Sequence, residues 1–232
     1  MSKERAFLGQ EIGWWVERRG ELQIKGQENI PTSGPFLVTT THELAPWKVG
    51  PWDVPRPPLD ISVVSLIVEE TTKQPVVWIA ADRSSVACNL PPPLQFLARK
   101  VWSWGLERYG ALCVPLNQDP KSRIRAVKEA ISLLKRGQII GIALTPGEKL
   151  EKKTIRQGAA FIALKASKTT GPLPVLLVKI TGLEAPWQVI AKHPIEVSIH
   201  KPVLVQFNPS RPMREQRREW TKRFLSLLKE NS

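Results

Sequence analysis

The sequence predicts an α/β fold, a single domain in which a mixed, mostly parallel central sheet is flanked by helices. Three observations lead there. Short apolar, β-branched runs alternate along the chain with longer segments whose apolar residues recur every three or four positions. That is the pattern of strands feeding helices that return over a parallel sheet. A length of 232 residues fits one large α/β domain better than two small ones. A hydrophobic content of 42% supplies a sizeable single core and excludes a disordered or fibrous chain.

Taken in order, Phe7, Leu8, Ile12 and Trp15 give residues 3–18 a broad apolar helical face that ends at Gly20. The run GPFLVTTT (34–41) follows a Pro/Gly turn and reads as a buried strand ending at His42. Residues 43–59 carry five prolines with Trp47 and Trp52, a stiff excursion expected to form neither helix nor sheet. Asp60 then stands where a helix N-cap belongs, ahead of the apolar run ISVVSLIV. PVVWIA (75–80) is a second strand. The proline triplet 91–93 opens a helix to about Arg108, with Leu94, Leu97, Val101 and Trp104 at core spacing. ALCVPL (111–116) is a third strand, and Asp119-Pro120 starts a helix carrying Ile124, Val127, Ile131 and Leu134, closed by Gly137. QIIGIAL (138–144) is a fourth strand, followed by the loop TPGEKLEKK. A small-residue helix over 154–168 precedes a fifth strand, LPVLLVKI (173–180). WQVIA and IEVSIH read as a closing β pair. The segment 212–229 is a helix with Met213, Trp220, Phe224, Leu227 and Leu228 on one stripe. The chain divides into an N-terminal amphipathic helix (1–25), the α/β domain (26–210) and a basic C-terminal helix (211–232).

The charge is lopsided: 34 Lys+Arg against 21 Asp+Glu give a net +13. Such a field draws polyanions, among them anionic lipid headgroups, an acidic carrier protein and nucleic acid. Nucleic acid is not expected as a partner, because the chain has no RNP-like run, zinc finger or long basic tract. Nine Trp against one Tyr fit a protein that meets a membrane–water interface, although an aromatic core would use them as well. No stretch reaches the roughly 18–20 apolar residues of a bilayer span, and the charged start MSKERAFLGQ is unlike a signal peptide. The expected location is cytoplasmic, with peripheral membrane contact. Cys88 and Cys113 have the spacing of neither a zinc site nor a redox pair, so no metal is expected.

Of the three histidines, His42 is singled out because it follows a buried strand, at the edge of an α/β sheet where ligands bind. An imidazole there can serve as a general base near neutral pH; the alternative is a hydrogen-bonded loop histidine. The loop TPGEKLEKK gathers Glu148 and Lys149 with further lysines ahead of a helix start, and Arg156 follows. That arrangement suits a phosphate, or is an ordinary solvated βα turn. Neither a P-loop nor a dinucleotide fingerprint occurs, and no cofactor is expected.

The order of these segments resembles that of the glycerolipid acyltransferase family, the lysophospholipid and 1-acylglycerol-phosphate acyltransferases, over about 26–202. GQENIPTSGPFLVTTTH resembles the family's opening G-x-E-N-I-P block, strand and His-x4-Asp. RYGALCVPL resembles its third-strand block, LTPGEKLEKKTIRQGAAFIALKAS its Pro-Glu-Gly block and following helix, and LPVLLVKITG its final proline-led strand. The resemblance implies a glycerol-phosphate-acyltransferase-like fold. It implies acyl transfer from an acyl-CoA or acyl carrier protein co-substrate to a lipid acceptor at an anionic membrane surface. It implies His42 as base and an acid beside it, with Pro146, Gly147, Glu148, Lys149 and Arg156 contacting the acceptor's polar head.

The chain departs from the family pattern at three places. Position 47, where the family's acid falls, is Trp; Asp60 is the equivalent expected if 43–59 is an insertion, and Asp53 is the second choice. The arginine after the third strand is replaced at Asn117-Gln118, and the Pro-Glu-Gly core reads Pro146-Gly147-Glu148. A catalytically silent relative that binds lipid or acyl carrier protein is therefore the alternative expectation.

Overall fold

The computed structural model describes residues 22–40, 47–49, 52–54, 59–81, 91–109, 111–114, 120–144, 157–183 and 194–230. In chain order the strands are β1 (Leu22–Lys25), β2 (Leu37–Thr40), β3 (Trp47–Val49), β4 (Trp52–Val54), β5 (Val76–Ala81), β6 (Leu112–Val114), β7 (Ile139–Ala143), β8 (Leu173–Thr181), β9 (Ile195–Ile199) and β10 (Val203–Val205). The helices are α1 (Leu59–Thr72), α2 (Pro92–Arg108), α3 (Pro120–Lys135), α4 (Gly158–Thr170) and α5 (Met213–Glu230).

All four residues of β2 are fully buried, as expected of an apolar strand covered on both faces. It lies between two parallel neighbours, with Leu37 opposite Ile140 of β7 on one side and Val175 of β8 on the other. The sheet runs β1-β9-β8-β2-β7-β5-β6, with β10 added antiparallel to the start of β8. Five of the seven pairings among these described strands are parallel. The expected mixed, mostly parallel sheet is therefore present, and each of the five predicted strands appears in it.

Successive strand residues point to opposite faces, and the two faces carry separate cores. On one, Val38, Val76, Trp78 and Val178 pack with Val63, Val64, Ile67 and Val68 of α1. On the other, Leu37, Ile140, Val175 and Leu177 pack with α3, α4 and α5. The predicted stripe of α5 holds there: Phe224 and Leu228 are buried, with Met213, Trp220 and Leu227 against them. Two contacts fix α1 to the sheet. Trp78 Nε1 donates to Ser65 Oγ at 2.7 Å, and Val76 N–H donates to the buried Glu69 carboxylate at 3.2 Å. The Trp78 ring lies flat over β7 where Gly141 leaves room, since a Cβ at 141 would come within 2.5 Å of the ring.

Three expectations are corrected. Residues 47–49 and 52–54 form an antiparallel hairpin, β3 with β4, not an excursion without sheet. The five prolines at 46, 51, 55, 57 and 58 all fall outside the paired residues, so none removes a ladder hydrogen bond. Leu94, Leu97, Val101 and Trp104 of α2 are exposed rather than in the core; helical spacing fixes a stripe, not what the stripe faces. Leu22–Lys25 is a strand paired with β9, so the sheet begins before residue 26. In the closing β pair, IEVSI pairs with β8 and β1, while WQVIA lies outside the described residues. The predicted helix over 3–18 also lies outside them.

Candidate functional site

The connections of α1 and α4 create the site. From β2 the chain passes through α1 to β5, stepping over β7, on the first face; from β7 it passes through α4 to β8, stepping over β2, on the second. Two adjacent parallel strands thus send their crossovers in opposite directions to opposite faces. Between their carboxyl ends this leaves a crevice, the topological switch point at which open α/β sheets bind ligands.

In chain order the candidate residues neighbour the elements that border that crevice. His42 comes two residues after the end of β2, and Pro146, Gly147, Glu148 and Lys149 follow β7. Asp60 begins α1, and Arg156 precedes α4. His42, the 146–149 loop, Arg156 and Asn117-Gln118 lie outside the described residues, as does the expected convergence of Glu148, Lys149 and Arg156 on His42. Asp53 is in β4 with Lys48 opposite it in the hairpin register.

Asp60 is described in full. It is the second residue of α1, two positions past the N-cap instead of at it, and only 3% exposed. Its Oδ1 accepts the backbone N–H of Ile61 at 2.9 Å. A carboxylate in the first helical turn can accept from the N–H groups that have no partner inside the helix. A buried acid is thereby held at the start of the helix that follows β2 in the chain.

Another polar group at this edge escaped the sequence reading. Thr39, next to last in β2, has its Oγ1 buried with no hydrogen-bond partner among the described residues. The run of three threonines before His42 was the signal for it. Away from the crevice, a cleft of about 910 Å³ is lined by Lys25, Asn29, His200, Lys201, Leu204 and Arg223, among others. Its β9 and β10 residues run from the level of Lys179 to that of Pro174 along β8, so it flanks the β1–β9–β10 side of the sheet and not the gap between β2 and β7.

No family model and no curated protein matches the chain. Among solved structures it is similar to the 1-acyl-sn-glycerophosphate (LPA) acyltransferase PlsC from Thermotoga maritima. The identity is 19%, over 96% of this chain and 77% of that one, with a TM-score of 0.52. The chain is thus a single α/β domain, a mostly parallel mixed sheet flanked by helices, and its fold is that of this acyltransferase.

Proposed function

We propose that the protein transfers an acyl group from an acyl thioester, of coenzyme A or acyl carrier protein, to a hydroxyl of a lysolipid or glycerol-phosphate-type acceptor. The work is done at an anionic membrane surface on the cytoplasmic side. One observation carries the reading: the buried Asp60 carboxylate stands at the start of α1, beside the switch point that follows β2. The acyltransferase fold supports it. The sequence pattern supplies the base.

In this reading His42 takes the proton of the acceptor hydroxyl, and the oxygen attacks the thioester carbonyl carbon. The tetrahedral intermediate collapses, the carbon–sulfur bond breaks, and the imidazolium returns its proton to the leaving thiolate. Asp60 fixes the imidazole tautomer and stabilises the imidazolium. Pro146, Gly147, Glu148, Lys149 and Arg156 contact the acceptor's polar head, with the two cations facing its phosphate. Among the described residues no helix is long and apolar enough to cross a membrane, so the lipid acceptor is met at the surface. A second reading, binding of lipid or acyl carrier protein without chemistry, is favoured by one observation: Trp47 occupies the position of the short-spaced acid and lies in a strand.

The two readings separate on thiol release from acyl-CoA and from acyl carrier protein, each with and without lysophosphatidate. Acceptor-dependent release, lowered about a hundredfold or more in His42→Ala, is expected if His42 is the base. Tight binding of acyl donor or lysolipid without turnover would leave the silent reading.

A further inference from the structure

Seven large hydrophobic residues are exposed among the described residues, and five of them are on α2: Leu94, Phe96, Leu97, Val101 and Trp104, each between 47% and 69% exposed. Leu94, Leu97, Val101 and Trp104 follow one another at spacings of three, four and three, so they form one stripe along about 15 Å of helix. Among the described residues, none of 92–108 belongs to either core. The stripe ends in a cation, with the Arg108 guanidinium 5.3 Å from the centre of the Trp104 ring. Lys100 flanks it and Arg99 lies on the far side of the helix; neither has an ion-pair partner among the described residues. Glu107 is the only acid on the helix.

We infer that α2 is a membrane-docking helix, which lies in the interface of an anionic bilayer with Leu94, Leu97, Val101 and Trp104 in the lipid and its cations among the headgroups. Apolar and aromatic residues on one face with Arg and Lys beside them are what holds a helix in that plane. Charge selects the occupant. A second copy would bring another +13 chain, with its own Arg108, against the same stripe, and like fields repel. The N-terminal segment has no such complementarity, since its four cations are offset by four acids over residues 1–21. It also enters the sheet at β1, six strand steps from β6, or about 29 Å at the usual spacing. In chain order α2 comes after the carboxyl end of β5, which is parallel to β7 and β2.

This inference rests on the membrane-surface part of the proposed function, and its test needs no turnover. Full-length wild type and the Leu97→Glu/Trp104→Glu variant are sedimented with phosphatidylcholine vesicles, with and without phosphatidylglycerol. Wild type should bind, more strongly with phosphatidylglycerol and less at high salt. The variant should lose about tenfold or more of its partitioning, since it places two charges in the interface. Its melting temperature and its thiol release with a short-chain, water-soluble acceptor should stay near wild type. The milder Leu94→Ser/Val101→Ser pair checks the same face should the first variant be insoluble. Wild type that ignores anionic vesicles, or variants that bind as well as it does, would overturn the inference. So would a loss of dimer, or a large fall in melting temperature, with vesicle binding intact, since these assign the stripe to a second copy or to the chain's own N-terminus. If vesicle binding behaves as stated and wild type turns over no acceptor, the docking helix stands and the acyltransferase reading fails.

Discussion

Asp60 shows how one side chain can serve both helix and site. Its Oδ1 takes the Ile61 N–H, and at 3% exposure the side chain is shielded from water. The sequence signalled the acid by its place before an apolar run, although it sits two residues deeper than an N-cap. Around it the core is held by specific polar contacts that periodicity does not reveal. Trp78 donates to Ser65 across the α1–β5 packing, and Ser65→Ala would leave that indole N–H buried without its partner. Urea denaturation should show a loss of about 1–3 kcal/mol. Gly141→Ala should cost about as much or more, because the new Cβ would meet the Trp78 ring where overpacking leaves little room. Unchanged stability of either variant would show that the ring does not lie over β7 as described.

Among the elements, those with a strong pattern were legible and those defined by their neighbours were not. The runs FLVTT, VVWIA, IIGIA and LPVLLVKI carry enough β-branched and apolar residues to declare themselves as strands. Leu22–Lys25 and Val203–Val205 are short and half exposed, and they become strands only because β9 and β8 offer edges to pair with. The hairpin β3–β4 was hidden by its prolines, which bracket the ladder instead of breaking it. The stripes of α2 and α5 look alike in sequence, yet α5 turns its own onto the sheet and α2 turns its own outward. Two phenylalanines make the contrast measurable. Phe224 is fully buried in α5 and Phe96 is 69% exposed in α2. Phe224→Ala should destabilise by about 3–5 kcal/mol, whereas Phe96→Ser should stay within about 0.5 kcal/mol. Comparable losses for both would place α2 in the core.

At the scale of the whole molecule, the strand order makes the site. Parallel strands β2 and β7 stand side by side and send α1 and α4 to opposite faces. The alternation of strands and helices predicted the sheet, but the order of its strands, and hence the crevice, could not be read from alternation alone. What the sequence did carry was the placement of His42, Asp60 and the 146–149 loop next to the ends of those elements. Departures from the family pattern at 47, 117–118 and 147–148 made it natural to ask whether chemistry survives. The central claim is that Asp60 stands in for the missing short-spaced acid, and Asp60→Asn addresses it most directly. The amide keeps an oxygen for the Ile61 N–H, so the fold should hold, yet it cannot stabilise an imidazolium. The measurement is kcat for acceptor-dependent thiol release in wild type and Asp60→Asn, with melting curves alongside. The account predicts a fall of about a hundredfold or more at nearly unchanged melting temperature; wild-type turnover that Asp60→Asn leaves within about twofold would contradict it.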